Sequence, residues 1–458
     1  MGKKLASTLV FLLTFLFTMA QYAEDSIMFK RISDEIFMNG TAYSNLRILC
    51  KKIGPRLSGS AGAAKAVAET ARMLKEAGAD TVYLQPCMVP HWIRGDKEIG
   101  KAILQSGKTM PLNIVALGNA VGTGTSGLTA NVIEIKSFKE MEEFGVQKIK
   151  GKIVFFNFRM DPRHINTFTA YGEAGVYRVN GPSKAAAFGA VGVIVRTLSP
   201  EIDDIPHTGV TVYEEGKPKI PAVAISTLGA VELSKALSSG LVKSIYLKTT
   251  CKMLADEPSY NVVGEMKGSE FPNEIITVGG HLDSWDLAEG AHDDGTGCMQ
   301  SIEVLRVFKA LGIHPKRTIR AVMFMNEENG SRGGDAYAEI AKKEGKKFIM
   351  AMESDAGGFT PRGFGFTCDQ PKSLKIMSWK NLFQPYGATE FTLGGGGADI
   401  GPLIELGAAT IGFNPDSQRY MDLHHASTDV FESVSERELN LGAIVMSQMI
   451  YMVSQQGL

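Results

Sequence analysis

The stretch Glu274–Ser284, EIITVGGHLDS, passes without a break from β-branched apolar residues into glycines, then into histidine and aspartate. Its first half reads as a strand buried on both faces, the pattern of a parallel sheet. After the loop WDLAEGAHDDGTG (285–297), CMQSIEVLRVFKALG (298–312) carries apolar residues at helical spacing. The order repeats downstream: TIRAVMFMNEE (318–328) before GGDAYAEIAKKEG (333–345), then KFIMAMESDAG (347–357) and AATIGFNP (408–415). Strands alternating with helices predict an α/β fold, a mostly parallel sheet flanked by helices.

Working outward, residues 111–248 change in texture. Short runs such as NVIEIK, GKIVFFNF, GVIVRT and IPAVAIS stand between glycines and prolines, so this segment is expected to be a β-rich domain inserted into the main sheet. Residues 21–110, with two helical patterns around the turn-rich GPRLSGS (54–60), form the N-terminal part of the main domain, and 249–458 its C-terminal part.

The 458 residues suffice for more than one core. A formal charge of −1 leaves no electrostatic footprint for nucleic acid or an anionic membrane. Five scattered cysteines without a CxxC pair exclude a thiolate zinc knot and a dense disulfide scaffold, and allow one bridge. The opening MGKKLASTLVFLLTFLFTMAQ has two lysines and an apolar run from Leu9 to Phe17, too short to span a bilayer. Residues 1–20 are therefore expected to be a signal peptide cleaved after Ala20, with the mature chain secreted or periplasmic and free of the membrane.

In an open α/β sheet ligands bind beyond the carboxyl ends of the strands. The residues at those ends are one-sided in chemistry: His281, Asp283, His292, Asp293 and Asp294, then Glu327 and Glu328, then Asp355, then His424, His425 and Asp429. So many acids would repel one another without a cation. Imidazole and carboxylate together suit zinc in an open catalytic site. Two ions sharing a bridging carboxylate can hold a hydroxide between them and polarise a carbonyl, while a free carboxylate moves the proton.

The series GGHLDS, GAHDDGTG, NEENG, ESDAG and HHASTD resembles the co-catalytic zinc exopeptidases of family M28, over nearly the whole chain after residue 20. The resemblance implies the zinc exopeptidase fold with a protease-associated insert, a peptide substrate, two zinc ions per chain and a homodimer. It implies that His281 and Asp355 bind one zinc, that Glu328 and a histidine of DLHHASTD bind the other, and that Asp293 bridges them with Glu327 as general base and acid. The family's HxxxD spacing points to His425, with Asp429 behind it, and Asp283 would orient His281. His292 stands where many relatives carry an acid and is expected to face solvent or to stand behind the metal ligands, and Asp294 to accept from loop amides. The glycine-rich LGGGGADIGPL would lie beside the substrate through Gly396 and Asp399, and Tyr420 could donate to a developing oxyanion.

Aminopeptidases, carboxypeptidases and dipeptidases all fall within this reading. Three rivals stand beside it: a catalytically silent binding protein of the same fold, a glutaminyl-cyclase-like acyltransferase with one zinc, and a periplasmic structural protein, which would leave the acid cluster unexplained. The full set of five ligands, the bridging Asp293 among them, favours hydrolysis.

Overall fold

The computed structural model describes the backbone of residues 2–458 and the side chains of residues 21–458. The export signal expected over 1–20 lies outside the residues described with side chains. No helix among the described residues is long and apolar enough to cross a membrane.

One eight-stranded sheet organises the chain: β1 (Thr81–Val89), β2 (Glu257–Met266), β3 (Phe271–His281), β4 (Arg317–Phe324), β5 (Lys347–Glu353), β6 (Pro361–Thr367), β7 (Glu390–Leu393) and β8 (Ala409–Pro415), in the order β1-β2-β4-β3-β5-β8-β6-β7. The four central strands β4, β3, β5 and β8 are mutually parallel, as their unbroken apolar runs require. Antiparallel pairings at both margins make the sheet mixed.

Six helices matter here: α1 (Gly2–Asn39), α2 (Ala61–Glu76), α3 (Thr167–Val179), α4 (Thr296–Leu311), α5 (Arg332–Glu344) and α6 (Glu436–Gln456). Helices α1, α2, α4 and α6 close one face over a core that includes Leu74, Ile302, Phe308, Ile444 and Met449. On the other face α5 brings Tyr337 and Ala341 against Val322, Phe324 and Phe348. With both faces covered, the carboxyl ends of the central strands are left to carry chemistry.

Between β1 and β2 the chain builds two further sheets. Five strands run Ile114–Ala116, Ala222–Ile225, Gly192–Arg196, Ile153–Phe156 and Val132–Ile135, all parallel except the first. A four-stranded antiparallel sheet joins Thr109–Leu112, Ile99–Leu104, Val242–Lys248 and Leu128–Ala130. Two features differ from the sequence reading. Ile99–Leu104 pairs with Val242–Lys248, upstream of the expected boundary at 111, and a ribbon of Trp92–Ile93 with Lys252–Met253 spans the neck. The segment is also richer in helix than its composition suggests, holding Phe138–Ile149, α3 and Thr227–Ser238. Glycine inside each of these helices, at Gly145, Gly172, Gly175 and Gly229, weakens the periodic signal.

All five cysteines are free thiols, so the one bridge allowed by the count is not formed. Cys298 is buried at the start of α4, its thiol turned to the carbonyl of His281.

Candidate metal centre

The centre is built on strand ends. β3 delivers His281, the turn after β4 delivers Glu327 and Glu328, the turn after β5 delivers Asp355, and the segment after β8 delivers Tyr420, His424 and His425. The loop from β3 to α4 passes over these ends with Asp293 and Asp294. Gly280 makes its close approach possible, because a Cβ there would stand 2.1 Å from the Asp294 carboxylate. Asp294 accepts from the His281 amide and from the Gly297 amide, each at 3.0 Å, and so caps the first turn of α4. This is the amide-acceptor part expected of it.

Asp293 sits at the middle. One carboxylate oxygen, Oδ1, lies 3.2 Å from His281 Nε2, which is itself 3.5 Å from Asp355 Oδ1. The other, Oδ2, lies 3.3 Å from His425 Nε2, which is 3.0 Å from Glu328 Oε2. Five of the sequence-predicted residues thus converge on one point. Two groups of donors come within 4.8 Å of one another, His281 with Asp293 and Asp355, and Asp293 with His424 and His425.

Several expectations need correction. His424, which the HxxxD spacing passes over, also reaches the cluster: its Nε2 is 3.8 Å from Asp293 Oδ2, and its ring stacks on that of His425 with centroids 3.5 Å apart. Asp283 does stand against His281, with its main-chain carbonyl 3.0 Å and its carboxylate 3.9 Å from Nδ1, and that carboxylate also accepts from the amides of Asn326 and Glu327 at 2.7 and 3.0 Å. A carbonyl only accepts, so Nδ1 carries the proton and Nε2 offers its lone pair to a metal. Asp429 serves the loop, accepting from the amides of His292 and Asp293, and does not pair with the His425 ring as the HxxxD spacing suggests. His292 does not face solvent: its ring is buried, stacks on Phe359, accepts from the Gly358 amide and meets the Ser433 carbonyl.

Asp399, expected at the substrate, is wholly buried against Gly334, and neither carboxylate oxygen has a hydrogen-bond partner. Gly396 does border a cavity of about 670 Å³ that shares Phe168 and Asp355 with the central cleft. Glu353, unremarked in the sequence, holds that glycine-rich loop by accepting from the amides of Ala398 and Ile400, both at 3.0 Å.

The central cleft, of about 440 Å³, brings Glu327, Glu328, Asp293, Asp355, Tyr420 and both histidines together. The Tyr420 hydroxyl donates to Asp355 at 3.4 Å. Burial pushes the Glu327 carboxyl up to about 8, with His281 opposing and Asp355, Asp283 and Asp293 adding to the rise. Burial likewise raises Glu328, with Asp293 adding to it, and raises Asp355 despite His281. A divalent cation among them reverses this push by favouring the ionised forms. The donor set fits zinc: imidazole and carboxylate only, with Asp293 Oδ2 buried and lacking a hydrogen bond.

Residues 261–450 match the profile of peptidase family M28. The chain is 34% identical over 413 residues to carboxypeptidase Q of Mus musculus, covering 90% of this chain and 85% of that protein. Against carboxypeptidase Q of Xenopus laevis the identity is 37%, over 90% of this chain and 86% of the other. The chain belongs to peptidase family M28. As an M28 metallopeptidase it superposes on the crystal structure of a peptidase M28 precursor from Shewanella amazonensis with a TM-score of 0.89 at 29% identity, covering 94% of this chain and 97% of that one. A zinc aminopeptidase from Bacillus subtilis shares the M28 fold at a TM-score of 0.64 and 22% identity, over 90% and 94% of the two chains.

Other contributors to the M28 site escaped the sequence reading. Arg56 of GPRLSGS is buried and donates to the carbonyls of Leu282, Glu289 and Gly290, fixing the loop that carries Asp293. Phe168, Tyr171 and Arg178 reach the cleft from α3, inside the inserted region. An arginine within the turn-rich GPRLSGS was a usable signal for the first. Nothing in the sequence around α3 marked the others.

Proposed function

We propose that this M28 peptidase is a co-catalytic two-zinc exopeptidase that hydrolyses dipeptides or short peptides. The observation that carries the reading is the position of Asp293, whose two oxygens face His281 on one side and His425 on the other. His281 and Asp355 would hold one ion, Glu328 and His425 would hold the other, and Asp293 would serve both, with His424 a further donor in reach. Bound zinc supplies a Lewis acid for the peptide carbonyl and makes water nucleophilic near neutral pH.

The chain's own residues do the rest. Glu327 opens onto the cleft beside Asp293 and Asp355. It takes a proton from the attacking water and returns it to the leaving amine. Tyr420 donates toward the oxygen on which charge develops. Asp283 holds Glu327 by its amide, and Asp429 holds Asp293 in the same way.

In the same reading the insert is a protease-associated domain that covers the cleft, which Phe168, Tyr171 and Arg178 support by lining it. The chain is exported after cleavage at Ala20 and acts as a homodimer; N-terminal sequencing starting at Gln21 and sedimentation check these two points. The central test is metal analysis of the mature protein with hydrolysis of a dipeptide panel before and after chelation. About two divalent ions per chain, with activity lost on removal and regained with zinc, is the expected result. Full activity in the stripped protein overturns the mechanism.

A further inference from the structure

Trp285 belongs to the loop between His281 and Asp293, yet its indole packs inside the insert. The residue is 4% exposed and joins the insert's core with Val115, Leu117 and Val195, meeting Trp92 edge to face with centroids 6.3 Å apart. Its Nε1 is buried without a hydrogen-bond partner, so packing alone places the ring. The seat is Gly118 of the insert, where a Cβ would collide with the outer ring of the indole. Gly118 is not at a positive φ, so glycine is needed there for the room and not for a turn. The seat is itself fixed: the Gly118 amide donates to the Gly209 carbonyl and its carbonyl accepts from the Thr211 amide, both at 2.9 Å.

From that seat Trp285 reaches both side chains assigned to one ion. Its main-chain amide donates to Glu328 Oε1 at 3.2 Å, which leaves Oε2 to face His425, and its ring meets that of His425 edge to face at 5.8 Å. The insert holds His425 a second time, through the Thr208 amide, which donates to its carbonyl at 3.0 Å. The backbone of His425 turns there at a φ of 63°, a conformation that persists in a residue with a side chain only where its surroundings hold it. The other ion's side chains are held from the main domain. His281 is fixed by the Asp283 carbonyl and the Asp294 carboxylate, each at 3.0 Å. Asp355 meets the insert at one remove, through Tyr420, on whose ring Phe168 stacks. The two halves of the centre therefore lean unequally on the insert.

We propose that Trp285, seated on Gly118, is the positioning residue of the Glu328–His425 half of the centre, so that docking of the insert sets the affinity for one of two ions and not for the other; this rests on the two-zinc reading above. An indole that only filled space in the insert would, when displaced, lower stability and leave the two affinities in their wild-type ratio.

The test is competition of the zinc-loaded full chain against graded concentrations of a chromophoric chelator, with the unfolding midpoint measured on the same samples. Gly118→Ala drives the indole from its seat and should weaken one of the two ions by about 10- to 100-fold, the usual cost of losing a group that holds a metal ligand, while the other keeps its affinity. The ion that is kept, located by anomalous scattering from crystals of the variant, should lie at His281 and Asp355. Trp285→Leu, which adds no atom to the insert, should show the same one-sided loss and carries the test where Gly118→Ala does not fold. Combining Gly118→Ala with Trp285→Phe, whose ring ends short of the new Cβ, should regain most of the lost affinity. Equal weakening of both ions, two unchanged affinities, or zinc kept at Glu328 and His425 overturns the assignment, and so does a double variant that regains nothing. A wild type that takes up one zinc or none overturns the two-zinc reading itself.

Discussion

The carboxylate of Asp429 holds Asp293 by its main chain, accepting from the amides of His292 and Asp293 at 2.7 and 3.2 Å. The acid that faces both histidine groups is thereby fixed without spending either of its own oxygens on support. Asp429→Ala leaves two buried amides without an acceptor and should reduce metal affinity by about 10- to 100-fold, as loss of a supporting hydrogen bond does at other metal sites. Asp429→Asn keeps one carbonyl acceptor and should fall between. Elemental analysis after graded chelation reads the effect; unchanged retention in Asp429→Ala would show that Asp293 is positioned by other contacts.

Arg94 carries a second prediction, at the neck of the insert. Its guanidinium donates to both oxygens of Asp286, at 2.8 and 2.5 Å, and to Glu98 at 3.2 Å and the Ala116 carbonyl at 2.7 Å. Asp286 belongs to the loop between His281 and Asp293, so this arginine couples the insert to the metal loop. Arg94→Ala should cost about 2–4 kcal/mol of stability, less than a fully enclosed pair because the Asp286 side chain is 28% exposed. KM should rise more than kcat falls, since the insert lines the cleft. Denaturant unfolding and steady-state kinetics on the same variant check both parts.

His292 should separate stability from chemistry. Its ring nitrogens meet the Gly358 amide and the Ser433 carbonyl, at 3.1 and 3.3 Å, behind the loop. His292→Phe keeps an aromatic ring against Phe359 but strands both groups, at a cost of roughly 1–3 kcal/mol each. The folded fraction should keep its metal and its kcat. A lowered denaturation midpoint with normal metal content is expected; metal loss at full stability would place His292 in the metal site after all.

The residues of the candidate centre were legible because they cluster in the segments after the apolar runs, and a parallel sheet gathers those strand ends at one edge. What stayed hidden depends on directions that spacing does not encode. HxxxD spacing favours His425 over His424, yet His425 takes a φ of 63°, and this turn brings both rings to Asp293. Asp283 lies two residues from His281 and stands against its Nδ1, but spacing does not reveal that its carboxylate also accepts from the amides of Asn326 and Glu327 after the next strand. Asp399 looked accessible in a run of glycines, and those glycines instead let the loop fold down onto Glu353, where a Cβ at Gly397 would stand 2.1 Å from the carboxyl carbon. Arg178 reaches the cleft through packing of the insert against the main sheet, about which an arginine near the end of α3 says nothing.

Adjacent in sequence, Glu327 and Glu328 face different partners, and this makes their roles separable. Glu328 meets His425 at 3.0 Å and accepts from the Trp285 amide at 3.2 Å, so its loss should weaken metal retention together with rate. Glu327 is tied to the fold through its amide, which leaves its carboxylate free to face the cleft. Glu327→Gln keeps nearly the same volume and can still hydrogen-bond, but it cannot accept a proton from the attacking water. Metal and substrate should still bind, while kcat falls by about 100- to 10,000-fold, the usual loss for general acid–base catalysis. Metal counted on the same sample separates lost proton transfer from a disturbed centre, and an unchanged dissociation constant for a product amino acid shows that the cleft is intact. Near-normal turnover with full metal content would mean that another group moves the proton, and the division of labour between the two glutamates would have to be redrawn.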